Sequence, residues 1–258
     1  MGNVIAVLSA SGGVGASCLA AALAVRAAAA GRSAVAVDLD RGAGRLDVVL
    51  GVEQEPGWRW PDLADVRGVV DGSGLADRLP TTAGVAVLSG VPAWTAGQDP
   101  LDFLDTIPDI VTGLADAHSV TVLDLPRSAG IVETVAPLVD AVVVVVGTEV
   151  VQLAAATLVV PGVRHVVDAA RREADDWSGP PVPPIEPWVV LRGARVEPEL
   201  EDLVTDELDV AVVAAVGDDR RVVTEIADGL PPGVRGRGPL VRAADELLLR
   251  LVSASEAA

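Results

Sequence analysis

Apolar runs of strand length recur along the chain, most of them followed by a stretch with helical spacing. The runs are 4–8 (VIAVL), 34–40 (AVAVDLD), 84–90 (GVAVLSG), 119–126 (SVTVLDLP), 141–146 (AVVVVV), 188–193 (WVVLRG) and 210–216 (VAVVAAV). Helical stretches are expected at 17–30, 100–117, 129–138, 148–176, 198–208, 220–229 and 239–252. Pro108 and the Pro161-Gly162 pair are expected to interrupt two of them, because proline removes a backbone donor and crowds the preceding turn. Several strands are apolar at every position rather than at alternate ones, so both faces must be covered. The pattern therefore predicts an α/β fold: a single doubly wound, mainly parallel sheet with helices on both faces, as one domain over residues 1–258. In the last helix Leu240, Ala244, Leu247, Leu248 and Leu251 share one face, which predicts docking on the core.

The junction after the first strand carries the most chemistry. Residues 9–16 (SASGGVGA) form a glycine-rich loop between a buried strand and an Ala-rich helix ended by Gly31. A loop of that kind aims backbone N–H groups and a helix N-terminus at an anion. The phosphate-loop pattern G-x-x-x-x-G-K-[ST] is matched at its last Gly and its Ser, Gly15 and Ser17; its first Gly is Ala10 and its Lys is Ala16. Acids stand at the ends of two other strands, Asp38 with Asp40 and Asp124. Ligands of parallel sheets bind beyond the C-terminal strand ends. There Ser17 and Asp124 are candidate Mg²⁺ ligands, and Asp38 and Asp40 are candidates to orient a water at a terminal phosphate.

Composition changes this picture in one respect. The chain has 258 residues and a net charge of −18, and all 19 basic residues are arginine. The absent loop lysine cannot come from elsewhere in the chain or from an identical partner. Arg41, Arg45 and Arg127 flank the strand-end acids as alternative cations, the plainer reading being surface ion pairs. An acidic surface disfavours nucleic acid and anionic membrane. The arginines between Arg220 and Arg242 are interleaved with acids and read as a mixed surface. The single cysteine, Cys18, excludes an internal disulfide and reads as a small core residue. His118 and His165 have no partner at metal-ligand spacing, and there is no G-x-S-x-G motif. No leader or membrane span is expected, which makes the protein cytoplasmic on this reading. Trp58 and Trp60 flank Arg59, either as anchors for a partner or as caps of the sheet core. The proline-rich 178–187 reads as a stiff spacer or a recruitment segment.

The segment Ser11-Gly12-Gly13-Val14-Gly15-Ala16-Ser17 resembles the deviant phosphate loop of the MinD/ParA ATPases, K-G-G-x-G-K-[ST]. The likeness extends through 37–52, 122–130 and 140–150. Residues 56–63, 124–127 and 229–244 are most similar to the CpaE/TadZ-like branch, including septum-site-determining CpaE-like proteins. Members of that branch often carry an N-terminal receiver-like domain; with the first strand at residue 4, that domain is expected to be absent or to lie outside this sequence.

The resemblance implies ATP or ADP with Mg²⁺ at Ser11, Gly12, Gly13, Val14, Gly15, Ala16, Ser17 and Cys18, with Arg192 near the adenine. It also implies a homodimer, protein partners in Flp/Tad pilus-assembly or division machinery, and recruitment to the pole or septum through them. Both family lysines are replaced, one by Ala16 and the dimer-crossing one by Ser11. A carboxylate about 5 Å from a phosphate charge costs on the order of 3 kcal/mol at an effective dielectric near 20. Weakened nucleotide binding and little or no hydrolysis are therefore expected. The alternatives are an active ATPase with Arg in the lysine role and, more remotely, a dinucleotide-binding oxidoreductase. The latter would require Gly where Cys18 stands.

Overall fold

A computed structural model describes residues 2–40, 45–90, 100–175 and 185–257. In chain order the elements are β1 (Asn3–Ser9), α1 (Ala16–Ala29), β2 (Ala34–Asp38), α2 (Leu46–Leu50), α3 (Gly72–Ala76), β3 (Thr81–Thr82) and β4 (Val85–Leu88). They continue with α4 (Pro100–Ala117), β5 (Val120–Asp124), α5 (Ala129–Val135), β6 (Ala141–Gly147), α6 (Val150–Asp175), β7 (Trp188–Arg192), α7 (Pro198–Leu208), β8 (Val212–Val216), α8 (Arg220–Ala227) and α9 (Pro239–Ala257). The strands form one sheet in the order β3-β4-β2-β5-β1-β6-β7-β8, parallel except for β3.

The sheet is sandwiched as its all-apolar strands require. Along β1, Val4, Ala6 and Leu8 point into one core with α4, α5 and α6. Ile5 and Val7 point into the other, with α1 and α9. This alternation is the period of two inherent to a strand. The Ala-rich α1 is buried at Leu19 to Val25 because its small side chains let the helix lie close to the sheet and to α9. The face of α9 named from its spacing is in that core.

Three expectations are corrected. Neither proline breaks its helix: α4 runs through Pro108 and α6 through Pro161. In α6 the residues Ala156, Val160, Val163 and Val167 are buried, while Pro161 and Gly162 lie on the exposed side. Burial on the opposite face holds the helix together, and water can serve the carbonyl left without a donor. The eighth strand is the third correction: Thr81–Thr82 pairs antiparallel with β4 at the sheet edge, too short to leave a periodic signal. Among the described residues one helix, Val150–Ala174, is long and apolar enough to cross a membrane, with mean hydropathy 1.6. Its packed face belongs to the core under β6. The run 141–146, by contrast, is a central strand.

The two tryptophans differ in burial. Trp60 is 2% exposed, meets Phe103 edge-to-face at 5.0 Å, and belongs to the core. Trp58 is partly exposed, with the Arg78 guanidinium 4.5 Å from its ring centre. Arg59 between them is buried and donates to the carbonyls of Val52, Glu55, Gly57 and Trp58, fixing the turn that carries both rings. The proline-rich spacer lies mostly in 176–184, outside the described residues.

Candidate functional site

The central strands deliver the loop and the acids to one place. β1 lies between β5 and β6, with Val7 opposite Asp124. β2 lies on the far side of β5, with Asp38 opposite Asp124. The two strand-end acids are therefore direct register partners on adjacent parallel strands. The loop is anchored at its start by Ala10 N–H to Val145 C=O at 2.9 Å, and in its middle by the buried Val14. Gly13 (φ 76°) and Gly15 (φ 87°) take left-handed conformations that cost other residues strain.

Gly15 is the N-cap of α1 and supplies no side-chain cap, and the first backbone bond at this end is Leu19 N–H to Gly15 C=O. The N–H groups of Ala16, Ser17 and Cys18 are left without helical acceptors, as at any helix start. They open on a cleft of about 930 Å³ lined by the loop from Gly12 to Cys18, by Ser9, Asp40 and Val159, and by 124–128. The space around Gly12, Gly13 and Gly15 is open enough for a Cβ at each, so backbone donors here are accessible to a ligand.

Asp124 is 3% exposed and lines this cleft. The Ser17 hydroxyl hydrogen-bonds its carboxylate, yet Oδ2 is buried with no partner among the described residues. Burial, and secondly the nearby Asp38 charge, push its pKa up to about 7. Asp38 is also raised to about 7, again chiefly by burial. Its Oδ1 accepts from Asp40 N–H at 2.9 Å and its Oδ2 from Leu46 N–H at 3.1 Å. Its carbonyl accepts from Trp60 Nε1 at 2.6 Å. Asp38 thus spends both carboxylate oxygens on the backbone that leads into α2, and only Asp40 of the pair lines the cleft.

A second cavity of about 250 Å³ opens on the other side of the loop. Gly13, Val14, Gly15 and Cys18 line both spaces. The second is walled by aliphatic residues of β6, β7, β8 and α8, among them Val145, Val190, Val216 and Val222, with Arg192 at its polar side. Arg192 donates to Asp218 Oδ1 at 2.7 Å and to Gly193 C=O. Burial first, and then the Asp124 charge, hold the Cys18 thiol above its ordinary range, so it is a poor nucleophile at neutral pH.

The structure thus joins the loop, Asp40 and Asp124 in one cleft, and sets Arg192 on the other side of the loop and Asp38 behind it. Ser11 does not line the cleft, and its Oγ is buried without a partner among the described residues. Arg45 pairs with Asp47 at 3.2 Å. Arg41 lies outside the described residues, whereas Arg127 lines the cleft and is exposed. In the arginine-rich neighbourhood Arg235 pairs with Glu225 at 3.7 Å and Arg221 with Asp219 at 3.9 Å, a mixed surface. The residues missed from sequence are the walls of the second cavity. The segment 216-VGDD-219, glycine and acids directly after an apolar strand, was the available signal.

Hard oxygen donors suit Mg²⁺, and an unpartnered buried carboxylate oxygen beside a hydroxyl fits that ion, with remaining positions left to water or ligand oxygens. Among the described residues no group of three or more His, Cys, Asp or Glu side chains could hold a metal by itself.

Comparison with solved structures decides what this architecture is. A ParA family ATPase from Chlorobium tepidum TLS superposes with a TM-score of 0.73 at 17% identity, covering 96% of this chain and 99% of that one. The fold is that of the MinD and ParA ATPases. A chain of the MinC:MinD cell division protein complex from Aquifex aeolicus gives a TM-score of 0.68 at 18% identity, over 97% of this chain and 96% of that one. The septum site-determining protein MinD complexed with Mg-ADP from Pyrococcus horikoshii OT3 gives 0.60 at 18% identity, over 96% and 94%. No family model matches the sequence. Two uncharacterized proteins of Mycobacterium tuberculosis, from strains CDC 1551 / Oshkosh and ATCC 25618 / H37Rv, are 43% identical over 128 residues, 49% of this chain. That match spans 33% of those relatives' own length. In a chain of the MinD/ParA fold, then, the glycine loop carries no lysine.

Proposed function

We propose that this chain is a MinD/ParA-type positioning or assembly factor of the CpaE/TadZ-like branch, which binds adenine nucleotide with Mg²⁺ but hydrolyses ATP weakly or not at all. It acts as a homodimer through protein partners in Flp/Tad pilus or septum machinery. The observation that carries the reading is an intact phosphate cradle, with open glycines and an uncapped helix start, in a loop whose two lysine positions are Ser11 and Ala16. Solved neighbours of the same fold include a complex with Mg-ADP and a complex with MinC, which supports nucleotide as ligand and protein as partner.

On this reading the loop N–H groups hold the phosphates and the apolar cavity beside Arg192 takes the base. Ser17 and Asp124 hold Mg²⁺, which when bound neutralises phosphate charge. Weak turnover follows from Asp38, whose oxygens are already engaged by Asp40 and Leu46 and are poorly placed to orient a water. Phosphate release from Mg-ATP tests the proposal. Turnover near the uncatalysed rate, with measurable ADP binding by calorimetry, is the expected result. Turnover of about 1 per second, abolished by Asp124→Ala, would instead establish a working ATPase.

A further inference from the structure

Two segments of different character line the cleft. The loop brings backbone N–H groups and the Ser17 hydroxyl to it but no cation, and the segment Leu125-Pro126-Arg127-Ser128 that leaves β5 lines it as well. β5 is hydrogen-bonded beside β1, and Leu125 N–H bonds Val7 C=O at 2.8 Å, so this segment departs next to the loop. Arg127 lines the cleft and is exposed.

Its surroundings set it apart from the other arginines near the strand ends. Arg45 is held by Asp47 and Arg192 by Asp218. Among the described residues no carboxylate pairs with Arg127, although the chain carries 37 acids and Asp40 and Asp124 line the same cleft. A guanidinium in that position has its donors available, and its planar fork matches two oxygens of a phosphate. With Ala16 in the lysine position the space above the helix start stays open to a cation reaching across.

We infer that Arg127 is the phosphate-binding cation of this site, holding the ligand's phosphates against the lysine-free loop from the segment that leaves β5. The inference rests on the nucleotide reading above and assigns binding, not turnover. The ligand class is a nucleoside di- or triphosphate accompanied by a divalent cation. Arg127 supplies the charge that Ala16 lacks, so a lysine at 16 and the arginine at 127 are alternatives for one task.

The test is calorimetric titration of Mg-ADP and of Mg-pyrophosphate into the wild type, Arg127→Ala, Arg127→Lys, Ala16→Lys and the double variant Arg127→Ala/Ala16→Lys. Arg127→Ala should weaken both ligands about 10-fold or more, the range of one lost charged hydrogen-bond pair. Its melting temperature should not move, because the side chain is exposed and pairs with no described residue. Arg127→Lys should recover part of the affinity. Ala16→Lys should restore binding in the Arg127→Ala background and add much less to the wild type. Wild-type affinity in Arg127→Ala, or an equal gain from Ala16→Lys in both backgrounds, would overturn the assignment and leave the nucleotide reading standing. A wild type that binds neither ligand would overturn both.

Discussion

The two cavities that share the glycine loop differ in almost every physical respect. The larger is open and bordered by ionisable groups, with a buried carboxylate oxygen of Asp124 lacking a partner among the described residues. The smaller is walled by valines, leucines and an isoleucine, and its one arginine is already paired with Asp218. In the first, electrostatic demands are unmet; in the second they are settled before any ligand arrives. Unmet polar groups in a buried setting are costly. Their concentration on one side of the loop marks where a charged ligand belongs. The apolar side offers area and shape to an uncharged one. A molecule with a phosphate chain at one end and a flat base at the other answers both sides at once.

The largest disturbance of this comparison is to remove what the cavities share. Gly15 lines both, sits at φ 87° and ends the loop at the first turn of α1. A Cβ there has no protein atom within 4 Å, but the valine side chain would occupy ligand space and strain the backbone. Gly15→Val is expected to reduce Mg-ADP affinity about 100-fold or more and to cost about 1–3 kcal/mol of stability. Calorimetry and urea unfolding measure the two effects separately. Unchanged affinity would mean that the ligand does not pass over the loop.

The sheet was readable because both its faces are apolar, and seven of its eight strands announce themselves as runs bounded by Gly, Pro or acids. The candidate site was readable for a related reason: the loop and the acids sit at strand ends, and topology brings strand ends together. Side-chain engagement was not readable. Nothing in Asp38-Leu39-Asp40 says that Asp38 will bond the N–H groups of Asp40 and Leu46 while Asp40 lines the cleft. Nor does spacing distinguish Arg192, paired across 26 positions with Asp218, from Arg127, which pairs with no described residue. The second cavity escaped notice because its lining beyond the loop and α1 comes from five elements spread between residues 145 and 240, none of which carries a motif.

The difference in electrostatic demand is sharpened by pH. Asp124 has a folded-state pKa of about 7 against an ordinary 3.8, so the folded protein holds its proton more tightly than the unfolded chain does. Stability attributable to this group is therefore greatest at low pH and falls as pH rises from about 4 to about 7, after which it is constant. Asn is neutral throughout. Asp124→Asn should match the wild type below pH 4 and exceed it by about 2–4 kcal/mol at pH 8, while losing Mg²⁺-dependent nucleotide binding. Urea unfolding at both pH values measures the difference. A wild type as stable as the variant at pH 8 would show that the carboxylate is better solvated than its 3% exposure implies.

On the apolar side the same kind of change should do little. The Arg192–Asp218 pair is 2.7 Å long, but the two side chains are 30% and 63% exposed. Water and salt screen such a pair, and exposed ion pairs are worth about 0–1 kcal/mol. Arg192 also donates to Gly193 C=O, a carbonyl that water can serve when the side chain is gone. Arg192→Ala is expected to lower stability by no more than about 1 kcal/mol, less still at high salt, and to weaken Mg-ADP less than about 5-fold. Mg-pyrophosphate, which has no base to place beside Arg192, should bind the variant as it binds the wild type. A loss of affinity equal for both ligands would put a phosphate rather than a base next to Arg192. The polar and apolar sides of the loop would then have to be exchanged in the binding scheme.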